Sequence, residues 1–358
     1  MTVVDRPDTI AGAWLNTDID EWTRRVVRRH FDPVTGSPYW LARRAELGFD
    51  PLDITRYTDL SEFGHFDLGA LRDLDPVELV PASVPRPLAG RIWESAGTTG
   101  RPSRAVYTEA MSQHHAAWRV LGLEVTGFER GRTWLYACPS GPHIVGRGAY
   151  QIAELYQSLV YSIDLDPRII KRLIREAKTA EAKQYVDHVV EQVVEILETG
   201  RIDYLETTPA LLTSLIERRP ELVTGLAGVG LGGTQLTSAV FRRFRSVLGD
   251  ALIGTTYGNT FGCAIGLPAE RGGDVLPYVP SYPQVTMAVV DRTDPTRIVG
   301  MGELGRVRLT VLHEDLFLPN ILERDQALRF DTGDRWPCDG VANVRPLQNG
   351  EIAVEGLY

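Results

Sequence analysis

The sequence predicts an α/β fold of mostly parallel sheets flanked by helices, with a β-rich subdomain toward the C-terminus. Three observations predict it. Between residues 132 and 257, short apolar runs alternate with amphipathic helical stretches, the rhythm of strand–helix–strand units. From Val275 the texture turns to extended segments joined by turns such as Asp291-Arg292-Thr293-Asp294-Pro295. The stretch Trp93-Glu94-Ser95-Ala96-Gly97-Thr98-Thr99-Gly100-Arg101-Pro102-Ser103 sets glycines around two threonines, the makings of a loop that turns backbone amides and short hydroxyls onto one anion.

Taken in order, residues 1–90 read as a helical lead-in broken by prolines, with an amphipathic helix over 18–30 that puts Trp22, Val26 and Val27 on one face. An α/β core follows over 91–274. In it, Thr108 caps a helix with Met111, His115, Trp118 and Leu121 on one face and Gly122 as its stop. His114 and His115 read as surface and core filler, since adjacent helical residues point about 100° apart and lack metal-ligand spacing. A buried strand over 132–138 places His143 just beyond its C-terminal end, where open α/β sheets bind ligands.

Helices over 147–161, 167–178 and 182–198 come next, the last with Val186, Val189, Val190, Val193 and Leu197 at helical spacing. After a short strand over 202–205, Thr208-Pro209 opens another helix as N-cap and first-turn proline. The apolar run 226–231 leads into Gly232-Gly233-Thr234-Gln235-Leu236, and Thr237 or Ser238 caps a helix ending at Leu248. The run 252–256 then leads into Tyr257, and 275–358 forms the β-rich region.

Composition excludes several classes. A formal charge of -9 leaves no basic surplus to displace phosphate counterions, so nucleic acid is not an expected partner. Cys138, Cys263 and Cys338 are too few and too far apart for a disulfide framework or a zinc site. No apolar run approaches the roughly 20 residues of a membrane span, and the N-terminus lacks signal-peptide order. A cytoplasmic protein with no membrane partner is the expectation.

Three short motifs then stand in order. The loop at 93–103 resembles the Thr-Thr-Gly-x-Pro-Lys phosphate signature of the adenylate-forming enzymes: acyl-CoA synthetases, peptide-synthetase adenylation domains and luciferases. By itself Gly-Thr-Thr-Gly reads equally as a surface turn, and it lacks the lysine and hydroxyl that close a P-loop. Tyr257-Gly258-Asn259-Thr260 resembles the family's Tyr-Gly-x-Thr-Glu, and Phe330-Asp331-Thr332-Gly333-Asp334 resembles its aromatic-x-Thr-Gly-Asp. Gly232 to Leu236 is similar to its Gly-Gly-x-x-Leu turn, and Gly302-Glu303-Leu304 to its Gly-Glu-Leu stretch. The pattern looks most like the phenylacetate-CoA ligase branch, in a short form similar to members found in antibiotic, including phenazine, biosynthesis.

The resemblance implies the large N-terminal domain of the adenylate-forming fold, with 91–274 as its nucleotide- and acyl-binding core. It implies activation of a carboxylic acid as its acyl-adenylate, with ATP consumed, AMP as product and Mg2+ as companion ion. An aromatic acid is expected from the branch and from Trp134, Tyr136 and Tyr150, which suit a core equally. Ser95, Thr98, Thr99 and the amides of Gly97 and Gly100 would hold the β- and γ-phosphates. Tyr257 would stack on adenine beside Gly258, with Gly232, Gly233 and Thr234 at the other edge. Thr260 would approach the α-phosphate. Asp334 would accept from the ribose hydroxyls, its alternative being a simple turn aspartate, and Arg345 matches the hinge-side arginine. His143 is either a substrate-side residue or a turn histidine.

Three departures qualify the likeness. Ser103 stands where the family has lysine, with Arg104 as a substitute cation. Phe261 stands where a glutamate holds magnesium, and an aromatic ring offers a hard cation no oxygen. The sequence ends at Tyr358, where the family continues into a C-terminal lid domain. The acyl acceptor, or the second half-reaction, is therefore expected from a partner in trans, and a homodimer is expected by resemblance. The alternatives are a degenerate nucleotide-binding protein and an amide synthetase.

Overall fold

The computed structural model describes residues 10–95 and 101–347. Helices α1 (Ile10–Trp14), α2 (Ile19–Phe31) and α3 (Pro38–Arg43), followed by a series of single 3-10 turns, form the lead-in. Asp18 caps α2 by accepting from the Glu21 amide at 2.8 Å. The lead-in is anchored by aromatic rings. Phe31, Trp40 and Phe63 pack on Phe317, and the Trp40 indole donates to the Phe317 carbonyl at 3.0 Å.

A two-stranded hairpin, β1 (Gly90–Glu94) and β2 (Arg104–Thr108), leads into helix α4 (Glu109–Thr126). Thr108 caps α4 as expected, accepting from the Met111 amide. Gly122 is not its stop. The helix runs on to a left-handed Gly127, and Gly122 is where α4 lies against the sheet, since a Cβ there would come within 2.7 Å of Ile265.

Strand β3 (Thr133–Ala137) is followed by α5 (Ile144–Leu155) and β4 (Leu159–Ser162), so the helix expected over 147–161 starts earlier and gives way to a strand. The reversal passes through Gln157, whose φ of 55° no helix continues. Helices α6 (Pro167–Arg175) and α7 (Thr179–Thr199) precede β5 (Tyr204–Thr207), then α8 (Pro209–Arg218), α9 (Pro220–Val223), β6 (Gly228–Leu231), α10 (Ser238–Leu248) and β7 (Leu252–Gly258). Thr208 and Thr237 cap α8 and α10 through the expected side-chain bonds. The remaining strands are β8 (Cys263–Gly266), β9 (Pro277–Pro280), β10 (Val285–Val290), β11 (Leu304–His313), β12 (Leu316–Phe330) and β13 (Gly340–Pro346).

The α/β class is as the sequence predicts, with one difference in how the sheet is built. Strands β3 to β13 make a single eleven-stranded sheet in the order β10-β11-β12-β13-β9-β8-β7-β6-β5-β3-β4. The pairs from β4 across to β7 are parallel, and those from β7 to β10 are antiparallel. The β-rich region thus continues the helix-flanked sheet. The switch falls at the tight turn between β7 and β8, which carries Tyr257-Gly258-Asn259-Thr260. Among the described residues no helix is long and apolar enough to cross a membrane.

Candidate active site

The parallel strands β3, β5, β6 and β7 all point their C-terminal ends to one side, and a cavity of about 210 Å³ opens there. Ser95, His143, Gly233, Tyr257, Gly258 and Thr260 all line it. These residues lie on four different loops and strand ends, so the fold brings together what the sequence scatters.

Each is placed by local chemistry. Ser95 and Ser103 close the neck of the glycine loop: the Ser95 amide donates to the Ser103 carbonyl at 2.9 Å, and the Ser103 amide donates to the Ser95 hydroxyl at 2.9 Å. Gly97, Thr98, Thr99 and Gly100 lie outside the described residues. Arg104, the substitute cation, bonds Glu94 through Nε at 3.0 Å on the hairpin and so is already paired. His143 stands at the residue before α5 without a side-chain capping bond, its Nδ1 lies 3.3 Å from the Glu94 carbonyl, and burial holds its pKa below the ordinary imidazole value. A neutral imidazole results.

Gly233 takes a φ of 84° in the turn after β6, and a Cβ on Gly232 would lie 2.3 Å from the Thr256 hydroxyl. The Thr234 hydroxyl is buried in that turn with no hydrogen-bond partner among the described residues. At Gly258 a Cβ would meet the Gly262 carbonyl at 2.4 Å, so only glycine fits. Asn259 pins the turn by accepting from the amides of Phe261 and Gly262 at 2.8 and 3.2 Å. The Thr260 carbonyl accepts from the Tyr107 hydroxyl at 3.0 Å, and Phe261 is buried in the core.

Four described candidates are not in the cavity lining: Gly232 and Thr234, which flank Gly233, and Asp334 and Arg345. Asp334 sits on an exposed turn beyond β12, where Thr332 donates to the Cys338 carbonyl. Arg345 is exposed on β13, opposite Gln326. Of the aromatic residues, Tyr136 lines the cavity, Trp134 lines a small pocket next to it, and Tyr150 is exposed with its hydroxyl 2.8 Å from that of Ser162.

Three groupings escape sequence reasoning. Glu323 and Asp325 alternate on β12, so both face β7. The Tyr257 hydroxyl donates to Asp325 at 2.9 Å and the Asn259 amide to Glu323 at 2.7 Å. Burial, with Asp325 beside it, pushes Glu323 up to about 7. The signal was two acids two residues apart, Glu323 and Asp325, just after the apolar pair Ile321-Leu322. His115 and Cys263 meet in the cavity wall, Sγ to Nδ1 3.6 Å. Arg119, one turn beyond His115 on α4, pairs with Glu206 of β5 at 2.7 Å. His114 instead turns to His313, Nδ1 to Nε2 2.7 Å, so the two adjacent histidines do serve different surroundings.

No protein-family model matches the chain, and no curated protein sequence matches it. Solved structures do. The chain superposes on 2-hydroxyisobutyryl-CoA ligase, in complex with 2-HIB-AMP and CoA in the thioesterification state, with a TM-score of 0.70 at 17% identity, covering 96% of this chain and 70% of that one. An open conformation of the same ligase gives 0.67 at 17% identity over 90% and 72% of the two chains. Its postadenylation state, in complex with 2-HIB-AMP, gives 0.64 at 17% identity over 90% and 65%. The fold is that of an adenylate-forming acyl-CoA ligase.

Proposed function

We propose that the chain uses ATP to activate a carboxylic acid as its acyl-adenylate. The observation behind this reading is the convergence of Ser95, Gly233, Tyr257, Gly258, Thr260 and His143 on one cavity at the C-terminal ends of parallel strands, in the fold of a ligase whose structures hold an acyl-AMP. In this chemistry the carboxylate attacks the α-phosphorus and pyrophosphate leaves, so the protein must align two mutually repelling anions and stabilise the leaving charge. Ser95 stands at the neck of the phosphate loop, whose Thr98, Thr99, Gly97 and Gly100 would take the β- and γ-phosphates. Gly232, Gly233, Thr234 and Tyr257 would frame adenine. Thr260 would lie toward the α-phosphate, and neutral His143 would lie by the acid without adding charge. Asp334 and Arg345 would join from outside the cavity, as ribose acceptor and hinge residue.

Magnesium does not fit the residue at the family's usual position, because Phe261 is core and offers no oxygen. Mg2+ in this reading arrives on the phosphates of ATP. The acid is aromatic and the setting is cytoplasmic secondary metabolism, of the phenazine antibiotic kind. The acceptor comes from a partner in trans, and the chain works as a homodimer. A second reading, nucleotide binding without turnover, draws on Phe261 and on Arg104 being held by Glu94. ATP–pyrophosphate exchange across a panel of aryl acids separates the two. Exchange with one acid supports adenylation; AMP binding with no exchange for any acid overturns it in favour of the second.

A further inference from the structure

At the inner end of the cavity stands a buried ion pair that the adenylation chemistry does not use. Arg119 and Glu206 meet at 2.7 Å with side chains 9% and 6% exposed. Arg119 lines the main cavity, together with Tyr136 and Ile152, and the same three residues line an apolar extension of about 20 Å³ that Glu206 also faces. The pair therefore stands at the boundary that the two spaces share. The fold makes room for it: a Cβ on Gly230 would lie 1.9 Å from a Glu206 carboxylate oxygen.

A buried pair costs more in desolvation than it returns unless further hydrogen bonds complete it. A guanidinium has five N–H donors, and Glu206 engages Nη2. Arg119 also lines the cavity, and both residues line the extension, so the pair presents a donor and an acceptor to space that a ligand can enter. Charge within the pair is already balanced. A second carboxylate placed there would be a buried charge without a counter-ion, whereas a neutral hydroxyl both accepts from Arg119 and donates to Glu206.

We infer that Arg119 and Glu206 select an aromatic acid bearing a hydroxyl on the ring, remote from the carboxyl group. The inference rests on the reading of this cavity as the acid site. Tyr136, Ile144 and Ile152 in the wall of the main cavity supply the apolar surface for the ring, and the extension, about the size of one water, has room for its hydroxyl.

The test compares benzoate, 3- and 4-hydroxybenzoate and terephthalate on the full chain, by the KM for acid in ATP–pyrophosphate exchange and by thermal shift with acid alone. The expected result is a KM at least about tenfold lower for one hydroxybenzoate than for benzoate, the ratio that one hydrogen bond to a charged group supplies. Terephthalate is expected to be the weakest. In the Arg119→Met/Glu206→Leu double variant, which leaves no half of the pair unpartnered, the ratio of the KM for benzoate to that for the preferred hydroxybenzoate is expected to fall to about one. Equal KM values for benzoate and both hydroxybenzoates in the wild type overturn the inference and leave adenylation standing. No exchange with any acid overturns adenylation; the inference is then decided by whether a hydroxybenzoate, and not benzoate, raises the melting temperature. Equal shifts overturn it.

Discussion

Replacing Phe261 with glutamate puts a carboxylate where the resembled family holds magnesium; the structure predicts that it destabilises the protein instead. Phe261 is 4% exposed and lines a water-sized internal space with Tyr107, Val285 and Val311. Truncating a buried phenylalanine costs about 3–5 kcal/mol, and the glutamate stem recovers part of that. The carboxyl group then adds its own cost, because the lining holds no lysine or arginine, only the desolvated imidazoles of His114, His115 and His313, and a buried carboxylate must either lose solvation or stay protonated. A net loss of about 3–5 kcal/mol is a large part of the roughly 5–15 kcal/mol that holds a domain folded. Urea unfolding followed by tryptophan fluorescence reads it as a fall in midpoint at unchanged slope. An unchanged midpoint together with a magnesium-dependent gain in pyrophosphate exchange would refute the reasoning, since residue 261 would then have to face the phosphates.

Other predictions test other parts of the molecule. His30 is buried and His115 sits half-buried in the cavity wall, and desolvation holds both down to about 3. The folded state therefore binds fewer protons than the unfolded chain, and each histidine contributes stability above pH 6.5 that is lost as pH falls toward 3. The loss is about 1.4 kcal/mol per pH unit per group. A His30→Gln/His115→Gln variant should lose stability between pH 6.5 and 5 more slowly than the wild type, by about 2.7 kcal/mol per unit. Glu323, held near 7, acts in the opposite sense and cancels in that difference; parallel profiles would show that these histidines are solvated. Gly258→Ala should disorder the turn, because its Cβ meets backbone at 2.4 Å, and should abolish AMP binding measured by calorimetry; unimpaired binding would place the nucleotide elsewhere. Thr98→Ala should slow pyrophosphate exchange by about tenfold or more, and Asp334→Ala should raise the KM for ATP. Normal kinetics in either variant removes that residue from the site.

Much of the fold was legible in the chain because its signals are local. Thr108, Thr208 and Thr237 each satisfy an amide three residues ahead, so a hydroxyl before an apolar helical pattern suffices to place the start of α4, α8 and α10. Gly258 likewise announces a turn by lacking a side chain. The ordered motifs were legible for the same reason, each being a few consecutive residues. That His143, Gly233 and Tyr257 line one cavity follows from the C-terminal ends of parallel strands lying side by side, whereas Ser95 reaches it from the separate β1–β2 hairpin.

What tertiary structure alone decided lies between residues far apart in sequence. Arg119 and Glu206 are 87 positions apart, and nothing near either predicts its partner. The burial of Phe261, and the turn of Glu323 and Asp325 toward Tyr257, depend on the antiparallel strands continuing the parallel sheet past β7. Gly122 reads as a helix stop until β8 packs against it. Local pattern specifies elements through hydrogen bonds and side-chain period; desolvation and pairing of charges depend on which distant surfaces meet, and only the folded chain settles that.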